Sequence, residues 1–215
     1  MPPEGTSETE AFEPSSPSPG PLGTAALVAA ALGLAAVTAK GRGRELDDRI
    51  FKAVNSSAQH PVLDRFFKGL TELGSIWASG AAATALALGG KRREAADAFG
   101  AAALAWFAGQ GLKMAWRRNR PFQADAPFRL LIGKPRGTSW PSSHPMVLLA
   151  FVTVAARDLG LGKGARSALT GLAGMVAASL VYNGVHYPAD VAGGMLLGRA
   201  IADAWSRSVS RAVLG

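Results

Sequence analysis

The sequence contains no cysteine. That absence removes disulfide frameworks, thiolate zinc sites, iron–sulfur ligation and cysteine nucleophiles from the functions open to the chain. Histidine is scarce, with only His60, His144 and His186, which disfavours a histidine-rich metal centre, and no carboxylate pair or cluster has metal-ligand spacing. Charged residues are few, 18% against roughly 25% in an average soluble domain. Basic residues are missing from residues 1–21, which hold Glu4, Glu8, Glu10 and Glu13 and are rich in Pro, Ser and Gly. Such a segment cannot bury enough apolar surface to order itself, so it is expected to be a disordered tail. Its acidity is the opposite of a signal peptide's first region.

What is present is apolar and, beyond the tail, basic. The 215 residues hold 23 Lys and Arg against 15 Asp and Glu, a formal charge of +8, and 48% are hydrophobic. Removing the tail leaves 23 basic against 11 acidic residues, or +12, for residues 22–215, which read as one domain. A basic body suits nucleic acid, anionic lipid or an anionic substrate. Nucleic acid is disfavoured, because the cations fall in gaps between apolar runs and form no basic helix face. The runs are Leu22–Ala39, Leu73–Gly90, Ala98–Leu112 and Ser167–Val185, with a shorter one at Val147–Ala156 that extends back to Pro141. Eighteen helical residues span roughly 27 Å, close to a hydrocarbon core. The expected fold is therefore all-α, a polytopic membrane bundle of about six transmembrane helices. An alanine-rich soluble bundle is the competing architecture. The last candidate helix, Pro188–Trp205, carries Asp190, Arg199 and Asp203, so its charges need an interior or functional explanation. Residues 40–68 read as one or two amphipathic helices at the interface.

Three polar islands stand at the ends of these runs. The first is Lys113 to Pro121, with Arg117, Arg118 and Arg120; the second is Trp140-Pro-Ser142-Ser143-His144-Pro; the third is Ser179 to Asp190, with His186. Singly each has a plain explanation: a topology signal, a helix cap, an interfacial side chain. If the runs alternate direction, all three islands meet on one side of the membrane. Arginines that cannot be neutralised then gather with a lysine, two histidines and a carboxylate, and such a cluster calls for an anion such as phosphate. Ser142 reads as a helix N-cap, leaving free amides that favour an anion. His186 stands four residues before Asp190, a spacing that lets Asp190 accept the Nδ1 proton and leaves Nε2 to attack phosphorus. His144 remains as a general acid for the leaving oxygen.

The islands resemble the three signature motifs of the type 2 phosphatidic acid phosphatases, a superfamily that also includes bacterial acid phosphatases and vanadium-dependent haloperoxidases. K-x6-R-P is matched by Lys113 through Arg120-Pro121. P-S-G-H is matched by Pro141-Ser142-Ser143-His144 with one change. S-R-x5-H-x3-D is matched by Ser179, His186 and Asp190, with Leu180 in place of the arginine. The resemblance covers roughly residues 45–205. It implies hydrolysis of a lipid phosphate monoester or pyrophosphate through a phosphohistidine, with His186, His144 and Asp190 catalytic, and with no metal or other cofactor. Lys113, Arg120, Ser142 and Ser143 would hold the phosphate. At Leu180, either another cation such as Arg118, Lys134 or Arg136 stands in for the missing arginine, or phosphate affinity is reduced. The competing class is a catalytically degenerate membrane protein that binds anionic headgroups. The implied setting is the cell membrane with the site on the extracytoplasmic face, although the count of cations on that face argues the reverse under the positive-inside rule.

Overall fold

A computed structural model describes residues 20–56, 60–124 and 128–214, with side chains to residue 208. The expected disordered tail lies outside the described residues apart from Gly20 and Pro21. Among the described residues the chain is all-α, with eight helices: α1 Pro21–Val37, α2 Gly41–Ser56, α3 Pro61–Glu72, α4 Ile76–Leu88, α5 Arg92–Ala115, α6 Ser143–Asp158, α7 Lys163–Tyr182 and α8 Pro188–Leu214. The local signals are in the sequence. Pro opens α1 and α3, where the missing N–H costs nothing, and Ser75 Oγ caps α4 by accepting from the Ala78 N–H at 3.1 Å. The amphipathic stretch becomes α2 and α3.

The central element is α6, which packs against α4, α5, α7 and α8. Twelve of its sixteen residues are buried, which is why its apolar run shows no polar face. Gly194 and Gly198 of α8 explain how closely α6 and α8 approach. A Cβ on either would run into backbone carbonyls of α6, those of Ser142 and Met146, so this small-residue pair sets the helix separation. On the outside, Trp77, Leu88, Phe107 and Met114 are all more than half exposed. They form an apolar exterior of the kind that lipid, not water, covers.

The span count is met only in part. By length and hydropathy only α7 among the described helices is sufficient alone, and α1 with α2 would pass together but for a 93° bend between them. At 17 and 13 residues α1 and α4 are short, α5 carries Arg92, Arg93, Glu94 and Asp97 at one end and Lys113 at the other, and α8 carries the charges already noted. Those α8 charges are satisfied internally. Arg199 pairs with the buried Asp203 one turn on at 3.0 Å, and Asp190 lies in the site described next.

Candidate active site

The site is built at the end of the bundle where α5 finishes, α6 and α8 begin, and α7 turns into α8. The turn is fixed by a glycine cap. Gly184 adopts φ +83, its N–H donates to the Val181 carbonyl, and the Val185 N–H reaches back to Leu180. A side chain at Gly184 would also strike the Arg129 carbonyl. His186 therefore leaves the cap in a fixed direction, and Pro188 starts α8 at once, with Asp190 in its first turn.

The imidazole sits between an acceptor and a donor. Nδ1 lies 3.5 Å from Asp190 Oδ2 and 3.4 Å from Ser139 Oγ, while Nε2 faces Arg120 Nη1 at 3.1 Å. A guanidinium only donates, so Nε2 accepts and the ring proton belongs on Nδ1, toward Asp190. That is the tautomer expected from the His186–Asp190 spacing. Arg120 is itself aimed by carbonyls: Nε donates to Gly137 at 3.1 Å and Nη1 to Val185 at 2.9 Å. Asp190 is fully buried and accepts from Arg118 Nη1 at 2.7 Å, from the Tyr187 N–H at 2.8 Å and from Ser139 Oγ.

A cavity of about 470 Å³ opens onto this arrangement, and Lys113, Arg120, Ser143, His144 and His186 all line it. Three islands separated by tens of residues thus share one wall. Ser142 and Arg118, also named from sequence as phosphate ligands, do not line it. Ser142 is the N-cap of α6, but its N–H donates to the Asp190 carbonyl at 3.0 Å and it does not line the cavity. The Ser143 hydroxyl is buried without a partner among the described residues and packs over Gly109 of α5. Arg118 does not face the cavity either. It is buried between two carboxylates, Asp190 at 2.7 Å and Asp47 of α2 at 2.5 Å, and stacks on the Tyr187 ring. His60 is remote and caps α3.

Asp47 and Ser139 were not singled out from sequence. Asp47 also accepts the Ala189 N–H at 2.9 Å, so α2 grips the start of α8 directly. The signal for Asp47 existed: it falls in register with Phe51 and Asn55 on the buried stripe of an amphipathic helix. An acid on an apolar stripe asks for a buried partner. Nothing local marked Ser139.

Burial pushes the His186 pKa down to about 3, with Arg120 and Lys113 adding repulsion and Asp190 opposing them. The sign for stability follows. The unfolded imidazole titrates near 6.5, so the folded state's preference for neutral His186 is fully present above that pH and is lost as pH falls below it. Each unit below 6.5 is expected to cost up to about 1.4 kcal/mol. Thermal unfolding in detergent should show a stability loss from pH 7 to pH 5 that shrinks in His186→Gln. An identical loss in that variant would count against the assignment.

The fold and the site together define an all-helical protein with a buried histidine–carboxylate pair whose histidine lines a cationic cavity. Residues 94–213 match the PAP2 superfamily, more than half of the chain, and the chain belongs to that superfamily. No curated protein sequence matches it. Two solved structures share its fold. LpxE of Aquifex aeolicus is 24% identical, with a TM-score of 0.68, covering 75% of this chain and 95% of that one. A transmembrane PAP2-type phosphatidylglycerolphosphate phosphatase of Bacillus subtilis is 23% identical, with a TM-score of 0.70, covering 88% and 96%.

Proposed function

We propose that the chain is a membrane lipid phosphatase that hydrolyses a phosphate monoester or pyrophosphate through a phosphohistidine, without a metal. The observation that carries this reading is the pairing of an oriented, neutral His186 with His144, Lys113 and Arg120 around one cavity. A phosphoryl group entering the cavity takes the Arg120 N–H that faces Nε2, which frees the lone pair. Nε2 bonds to phosphorus, the bond to the leaving oxygen breaks, and His144 gives that oxygen a proton. Water then attacks, His144 recovers a proton from it, the P–N bond breaks and phosphate departs. Lys113, Arg120 and the first-turn amides of α6 at Ser143 and His144 offset the charge on the equatorial oxygens. Asp190 holds the His186 tautomer and stabilises the imidazolium.

Membership of the superfamily and the two structural neighbours support a lipid substrate. The apolar exterior supports a bilayer setting, and residues 22–215 act as one domain. With the chain's start in the cytoplasm, the cavity opens on the extracytoplasmic face. The test is phosphate release by the purified protein from phosphatidic acid, phosphatidylglycerol phosphate and polyprenyl phosphates and pyrophosphates. Release from none of them would end the proposal and leave the alternative that Leu180 favours, a protein that only binds anionic headgroups.

Two further outcomes follow from this mechanism. EDTA should leave turnover within about twofold, because Lys113 and Arg120 supply the charge that a metal otherwise provides. Abolition by EDTA with recovery on adding one divalent ion would refute it. Orthovanadate should inhibit competitively, since its five-coordinate form on His186 Nε2 resembles the in-line transition state.

A further inference from the structure

Resting on that phosphatase reading, we infer that Arg136 is the third phosphate-gripping cation of the site, doing from the 128–142 loop what no residue of α7 does here. The wall that α7 contributes to the cavity is Leu180, apolar and 2% exposed. Two cations, Lys113 and Arg120, line the cavity from the first island, and Arg120 has already committed Nε and part of Nη1 to carbonyls. Of the three candidates to complete the set, Arg118 is spent on Asp47 and Asp190. Lys134 is exposed and does not line the cavity. Arg136 does line it, and it makes no ion pair among the described residues, although Glu72 shares the same lining.

Its placement is built. The three residues that follow it are stitched to the first island: the Gly137 carbonyl accepts from Arg120 Nε at 3.1 Å, Thr138 Oγ1 donates to the Lys113 carbonyl at 3.1 Å, and the Ser139 N–H donates to the Arg118 carbonyl at 2.8 Å. Gly137, at φ +79, makes the turn that lets the chain run from the cavity rim into those bonds. Arg136 is thus presented at the mouth by the residues that hold Lys113 and Arg120, with its guanidinium free for phosphate oxygens in the bidentate manner Lys134 could not reproduce.

The experiment compares the wild type with Arg136→Ala, Leu180→Arg, the double variant and Lys134→Ala, in detergent with a short-chain phosphatidic acid. Phosphate release is followed together with orthovanadate binding read by tryptophan fluorescence, Trp77 and Trp106 being in the cavity lining. Arg136→Ala should lower kcat/KM and weaken vanadate about 10- to 100-fold, the loss of one charge-assisted contact. Lys134→Ala should change neither by more than about twofold. Leu180→Arg should recover most of the loss in the Arg136→Ala background and add little to the wild type, because one place is being filled from either side. Arg136→Ala indistinguishable from wild type in both readouts, or a double variant no better than Arg136→Ala alone, would overturn the inference while leaving an active phosphatase. A wild type that binds vanadate but releases no phosphate would instead overturn the phosphatase reading. The vanadate arm still decides for or against Arg136 in that case.

Discussion

His186→Ala is expected to lose at least about a thousandfold in kcat, since deleting the nucleophile removes the covalent step and not merely a contact. The empty space in its place does not reproduce the in-line approach, because water admitted there has no Asp190–Nδ1 partner to activate it. The surrounding groups should survive the change. Arg120 keeps its bonds to Gly137 and Val185, and Asp190 keeps Arg118, Ser139 and the Tyr187 N–H. The loss should therefore fall on kcat with vanadate inhibition abolished, while the variant remains folded in detergent. A wild-type enzyme quenched during turnover with labelled lipid phosphate should carry a label stable to base and labile to acid, and His186→Ala should carry none. If His186→Ala retains a tenth of the wild-type rate, another group attacks phosphorus and the assignment falls.

The second large effect is structural. Arg118→Ala should destabilise the protein by about 3–5 kcal/mol, because it leaves two buried carboxylates facing each other without their shared cation. Asp47 is 3% exposed and Asp190 fully buried. At this chain length that corresponds to a fall in Tm on the order of 10 °C. Adding Asp47→Asn should recover part of it, since one of the stranded charges is then gone while the amide oxygen still accepts from Ala189. The pattern separates two roles for Arg118. A phosphate ligand would lose affinity for vanadate with Tm intact; a buried bridge loses Tm first, and the double variant improves on the single. Tm unchanged in Arg118→Ala would refute the bridge.

The parts of the fold legible in the sequence were those with local causes. The apolar runs became α1, α4, α5 and α7, and Ser142 does stand at the N-cap of α6. The buried length of α6 was less legible, because a helix surrounded on all sides gives no periodic contrast. Hydropathy failed for α8 for a different reason: its carboxylates are paired with Arg118 and Arg199, and pairing is a property of the folded chain. The same limit applied to the site. His144, His186, Lys113 and Arg120 could be brought together from motif spacing, since each motif marks one edge of the cavity. Which arginine faces the cavity could not. Arg118 and Arg120 are two residues apart on an irregular segment, and their opposite destinations are decided by Asp47, 71 residues upstream of Arg118, and by the carbonyls of Gly137 and Val185.

The clasp between α2 and the start of α8 also bears on how the molecule assembles. Asp47 and Ala189 are separated by 142 positions, and the cation that sits between Asp47 and Asp190 comes from the middle of the chain. Contacts of such high order pay a large loop-closure entropy before they return anything, so they form late. A growing chain places Asp47 and Arg118 in the bilayer's neighbourhood well before Asp190 emerges, and α6 has no α8 to lie against until then. Helices made early thus wait with an incomplete charge cluster and an uncovered seam. The α8 stretch, made after both Asp47 and Arg118, is the one that closes both, so the charge cluster is completed only once the chain has been made through Asp190.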